Sequence, residues 1–167
     1  MPKAPATMVI SHWNTLIEGL AVSPKDFFAS VERAIETKLV PDTRRSRVDW
    51  KEGGILSAKR EYLRVLRKKH AFDICGAPFG NGFFISWWLG ELPSVFWQFM
   101  LMIPFVGPIM EKWFRPTTYY NVDTAIMFQS LVHSAVLEVV DSLTHTNGLK
   151  ALSEADRKPK MRDFFNL

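Results

Sequence analysis

Between Asp73 and Glu111 the only charged side chain is Glu91, and the nineteen residues Leu92 to Met110 (LPSVFWQFMLMIPFVGPIM) carry none. Chain this apolar has three destinations: a protein core, a partner surface or a lipid bilayer. Its prolines constrain the shape it can take. Pro93 suits the first turn of a helix, whereas Pro104, Gly107 and Pro108 kink or stop one. Residues 93–103 are thus predicted as a helix roughly 16 Å long, too short for a hydrocarbon layer of about 30 Å. Continued through its bends to Phe114, the helix would reach roughly 33 Å.

The flanks of the run resemble those of a bilayer element. Trp87, Trp88 and Trp97 lie on one side, Trp113 and Phe114 on the other, with Lys112 and Arg115 placed to snorkel. Irregular backbone at membrane depth needs shelter, so a proline-broken hairpin or an in-plane helix fits better than a straight span. Residues 92–114 are therefore read as a membrane-associating segment. Its lipid contacts are expected at Trp97, Phe99, Leu101, Ile103, Phe105, Ile109 and Trp113. The competing readings are a buried core helix, since apolar runs of about 10–14 residues are common in cores, and an oligomer or partner interface.

Charge is distributed unevenly. The net charge is +4, yet Lys38 to Lys69 holds eleven basic residues against four acidic ones, leaving the remainder net negative. Arg64, Arg67, Lys68 and Lys69 are expected at the headgroup level of an anionic cytoplasmic leaflet, where each nearby cation contributes about 1 kcal/mol. Nucleic acid is disfavoured as the partner. The chain shows no helix-turn-helix, zinc-finger or RNA-recognition signature, and Glu61 interrupts the basic row.

At 167 residues and 47% hydrophobic content, the chain has the size and composition of a single folded domain. The expected class is α+β: a small antiparallel β-meander with flanking helices and a proline-broken hydrophobic helix or hairpin. Residues 1–41 are assigned to N-terminal helices, with helical content over 7–21. Within them 24–39 is an amphipathic helix, capped by Ser23, opened by Pro24 and carrying Phe27, Phe28, Val31, Ala34, Ile35 and Leu39 on one face. The meander occupies about 44–90, of which 42–54 reads as a charged connection. Residues 55–66 favour a strand, 70–75 alternate as one, and 83–89 continue the meander beyond an Asn81-Gly82 turn signal. Three antiparallel strands with helices on one side are expected. An apolar helix over 123–145, capped by Asp123 or Thr124 and stopped at Asn147-Gly148, completes the chain.

Chemistry-bearing residues are sparse. Cys75 is the sole cysteine, which excludes an internal disulfide and a cysteine-rich zinc site and favours a reducing compartment. The N-terminus lacks the pattern of a signal peptide. Gly76 to Gly82 (GAPFGNG) lacks the Lys and Ser/Thr of a phosphate loop and reads as a hairpin turn. On a strand, Asp73 and Cys75 share a face that His70 does not, so His70 is not expected to activate the thiol. His133 reads as a satisfied core histidine, Asp141 and His145 as an exposed pair, and His12 has no evident partner. No catalytic residue, metal site or cofactor is assigned. The expected function is that of a non-enzymatic, membrane-associated adaptor or assembly protein. It would work at the cytoplasmic face of an anionic membrane, with a protein partner or a second copy of itself. The alternative is a soluble enzyme or small-ligand binder with a pocket lined by the hydrophobic run, Asp73, Cys75 and His133.

Overall fold

A computed structural model describes residues 8–38, 41–51, 59–92 and 118–161, so all of the hydrophobic segment after Leu92 lies outside the described residues. The architecture is α+β. Six strands form one antiparallel sheet: β1 (Met8–Glu18), β2 (Thr43–Lys51), β3 (Lys59–Arg67), β4 (His70–Phe79), β5 (Gly82–Glu91) and β6 (Lys160–Met161). Their order across the sheet is β2-β3-β4-β5-β1-β6. Two helices, α1 (Pro24–Thr37) and α2 (Tyr119–Thr146), pack on one face.

The meander has four strands rather than three, and residues 8–18 are a strand rather than part of a helical N-terminus. Trp13 and Ile17 point to the core while Asn14, Leu16 and Glu18 point away, a period of two that pairing with β5 enforces. β2 replaces the expected charged connection. Its inward arginines reach α1 instead of entering the core: Arg45 pairs with Glu36 at 2.7 Å, and Arg47 pairs with Glu32 at 3.2 Å. The Arg47 guanidinium also sits 4.5 Å above the Phe28 ring.

α1 begins as expected, with the Ser23 hydroxyl accepting from the Asp26 amide at 3.1 Å and Pro24 in the first turn. α2 starts one turn earlier than expected because Thr118 caps it, accepting from the Asn121 amide at 3.3 Å. It ends at Asn147. With 28 residues and an 18-residue stretch of mean hydropathy 1.3, α2 is long and apolar enough to cross a membrane. Its Ala125, Phe128, Val132, Ala135, Val136 and Val140 nevertheless form the core with Phe72, Ile74, Phe83, Ile85, Trp87 and Leu89 of the sheet.

Both hairpins around β4 use two-residue turns. Phe79 pairs with Gly82, so the turn is Gly80-Asn81, one position earlier than the Asn-Gly signal implied. Gly80 takes the positive φ of 58° at the first turn position, as a type II′ hairpin requires. Arg67 pairs with His70 across Lys68-Lys69, and here the positive φ of 52° falls on Lys68.

Gly76 lies where α1 presses on β4. A Cβ there would overlap the Phe27 ring, 2.8 Å from Cε1, and stand 3.0 Å from Phe83 Cε1. Both rings are fully buried. Gly76→Ala is therefore expected to lower the unfolding free energy by about 1–3 kcal/mol through overpacking; urea denaturation would measure it.

Candidate functional site

The antiparallel order sorts the chain between two ends of the sheet. One end gathers Met8, Thr43, Arg67, His70 and Glu91, because Thr43 pairs with Arg67, Arg67 with His70, and Glu91 with both His70 and Met8. The hydrophobic run leaves the sheet at this end, and the link is explicit. The Leu92 amide donates to the Lys69 carbonyl at 2.8 Å, and Lys69 Nζ meets Glu91 Oε1 at 2.9 Å. The first residue of the run is thus bonded to the turn that carries Lys68 and Lys69.

α2 begins at the same end. Phe128 packs edge-on to Phe72, and Ser11 donates to Gln129, while Phe72, Leu89 and Ser11 form one row across the sheet. Ten residues of helix from Gln129 back to Tyr119 span about 15 Å. Two strand residues from that row to Glu91 span about 7 Å. The first turns of α2 therefore project roughly 8 Å beyond the described end of the sheet. Tyr119 and Tyr120 on this projection are 79% and 72% exposed. Sequence reasoning did not single them out, because their exposure follows from where the helix crosses the sheet.

The expected headgroup cations separate in the structure. Lys68 is exposed and makes no ion pair among the described residues. Arg67 sits beside it, with Nε donating to the Pro41 carbonyl at 3.3 Å. Lys69 is half-exposed and shared with Glu91. Arg64 differs. It lies on the sheet face opposite the helices, 4% exposed, in a bidentate pair with the 5% exposed Asp73, both contacts at 2.6 Å. Its charge is committed to Asp73, and removing the carboxylate would cost about 3–5 kcal/mol. The cationic set at this end is Arg67, Lys68 and Lys69. Trp97, Phe99, Leu101, Ile103, Phe105, Ile109 and Trp113 lie outside the described residues.

The residues of the pocket alternative are divided by the sheet. Asp73 and Cys75 face away from the helices, while His133, on α2, lies on the helix side, where His70 also points. Cys75 is fully buried, and burial pushes its thiol up, away from the thiolate that nucleophilic chemistry needs. His133 is satisfied on both nitrogens: Trp87 Nε1 donates to Nδ1 at 3.0 Å, which leaves Nε2–H to donate to the Arg157 carbonyl at 2.7 Å. Asp141 pairs with Arg157 at 2.6 Å rather than with His145. His12 stacks on Trp88 with ring centres 4.8 Å apart. No group of three metal-ligating side chains occurs among the described residues. A groove of about 480 Å³ beside β1, lined by Asn14 to Glu18 and Leu149 to Ser153, contains no histidine or cysteine.

Comparison of the chain with models of protein families, with curated proteins and with solved structures finds no match in any of the three.

The buried histidines set a pH dependence. Burial holds His70 and His133 below the ordinary 6.5, and the Nδ1 of His70 has no hydrogen-bond partner among the described residues. A folded-state value below the unfolded one means that the unfolded chain binds protons first. Stability is therefore complete above about pH 6.5 and declines as pH falls from there toward the folded-state values. The denaturant midpoint is expected to drop between roughly pH 7 and pH 5. His70→Gln combined with His133→Gln should flatten that drop.

Proposed function

We propose that this protein is a non-enzymatic adaptor or assembly component held at the cytoplasmic face of an anionic membrane. Residues 92–114 provide the hydrophobic anchor, and Arg67, Lys68 and Lys69 provide the headgroup contacts. The observation that carries this reading is the 2.8 Å bond from Leu92 to Lys69, which joins the start of a nineteen-residue charge-free run to a cationic turn. A run emerging beside free positive charge meets acyl chains and phosphates at the same membrane boundary. The basic turn favours the leaflet that carries anionic lipid, hence the cytoplasmic side.

Lys68 adds support of a different kind. A non-glycine residue at positive φ costs about 1–2 kcal/mol, and glycine at the equivalent position of the β4–β5 turn avoids that cost. Strain of this sort accumulates where a side chain is needed for another purpose.

Lys68→Gly separates the two roles. The unfolding free energy is expected to rise by about 1 kcal/mol. Partition into phosphatidylcholine vesicles containing phosphatidylserine, read by flotation, is expected to fall about fivefold, the equivalent of one cation. A stabilised variant that floats as well as the parent protein would remove the turn from the membrane contact. A parent protein that never floats would overturn the proposed function.

A further inference from the structure

The two edge regions of the sheet are built differently. β2, at one edge, carries Arg44, Arg45, Arg47, Asp49 and Lys51 among its nine residues, the kind of charge that blunts an edge strand against further pairing. At the other edge β6 covers only Ser11 and His12 of β1. Past them β1 continues from Trp13 to Ile17 with no charge and no proline. The direction of its backbone groups follows from its partner. The Gly19 amide donates to the Asn81 carbonyl at 2.9 Å. By the alternation of an antiparallel ladder, Thr15 and Ile17 then bond to β5, and the peptide groups of Asn14, Leu16 and Glu18 face the open edge. Among the described residues no backbone hydrogen bond meets those three from outside. The groove of about 480 Å³ runs along this edge. All five residues from 14 to 18 line it, odd and even alike, which places it beside the strand and not over one of its faces. Residues 149–153 form its far wall.

We infer that this groove takes an extended peptide of a partner protein, added to β1 as a further antiparallel strand. The inference rests on the adaptor reading above for its purpose, while its geometry stands on β1 alone. Outward N–H and C=O groups at every second residue complement the backbone of another strand, the source of affinity in strand addition. β6 already pairs antiparallel on the same edge, and the incoming strand continues that ladder. The far wall selects a lone peptide. A strand that belongs to a sheet brings a neighbour about 4.8 Å further out, which would meet residues 149–153, so edge-to-edge pairing with a second copy is blocked. The chain itself leaves β6 heading away from the groove, from Lys160 opposite His12 to Met161 opposite Ser11. Side chains set the preference. Leu16, 43% exposed, and Glu18, exposed and without an ion pair among the described residues, share the face away from the helices. Residues directly opposite in an antiparallel pair touch, so an apolar residue suits the position facing Leu16 and a basic one that facing Glu18. Asp156 adds negative charge to the groove against Lys150 on the far wall. Read from its N-terminus, the favoured peptide is Lys or Arg, any residue, then Val, Ile or Leu. Glu18 lies roughly 33 Å along β1 from Met8, away from the end where the hydrophobic run departs, so a membrane there leaves the groove open.

Fluorescence anisotropy of a labelled peptide, Thr-Lys-Thr-Val-Thr-Thr, titrated with the full chain in non-ionic detergent, tests this. Saturable binding in the micromolar range is expected. N-methylation of the peptide valine removes the N–H that meets the Leu16 carbonyl, and is expected to weaken binding about tenfold without any change to the protein. Glu18→Lys, at an exposed position, is expected to weaken binding about fivefold, and replacing the peptide lysine by glutamate to restore it. Circular dichroism checks that the variant folds. An absence of saturation, or equal affinity for the methylated peptide, would overturn the inference. Vesicle flotation reads the attachment through 92–114 separately. A protein that floats but takes no peptide overturns this inference alone, and one that takes the peptide but never floats overturns the membrane reading alone.

Discussion

The functional account depends on one short connection: the Leu92 amide on the Lys69 carbonyl, with Glu91 bridging to the Lys69 ammonium. The bond fixes where the hydrophobic run begins relative to every other element. A two-residue turn holds the cations on one side of it, and the β5 backbone, paired along its whole length, holds the other. Because β1, β2 and β4 run one way and β3 and β5 the other, that end of the sheet also receives the start of β1 and the start of β2. Apolar chain, unpaired positive charge and exposed tyrosines meet there through topology, although they are far apart in sequence.

The two faces of the sheet serve different purposes. The helix side is a conventional apolar core in which Trp87 pairs with His133 and Ser11 with Gln129. The other side buries the bidentate Arg64–Asp73 pair beside Cys75 and Ser86. A buried ion pair adds little net stability relative to an apolar pair but penalises any register that separates its members. Here it pins β3 to β4 in the alignment that also sets the Lys68-Lys69 turn. This division also weakens the idea of a catalytic cleft, since the candidate acid and thiol lie on the side of the sheet away from both buried histidines.

Much of this was legible in the residues. The Ser23-Pro24 start of α1, the alternation along β4 and the long apolar α2 follow from local chemistry, and they place the chain in the α+β class. β1 was not legible. Trp13, Leu16, Ile17 and Leu20 recur at three and four residues as a helix face would, and only the partner strand β5 resolves the ambiguity. β2 looked like a linker because its arginines find their carboxylates on α1, nine and fifteen residues away in sequence. The same long-range pairing explains why charge counting overstated the basic patch. Lys38, Arg45, Arg47, Arg64 and Lys69 all have acidic partners, so the free charge concentrates on fewer residues than the sequence suggested. Arg64 could not be told from Arg67 without the register that sets it opposite Asp73.

Extraction of the intact chain from cell membranes tests the central claim most directly. Membranes carrying the protein would be washed first with high salt, then with alkaline carbonate, then with detergent. The account predicts retention through both washes and release only by detergent, because the charge-free run and not the cationic turn supplies most of the attachment. Quantitative recovery in the soluble fraction, or release by salt alone, would contradict it.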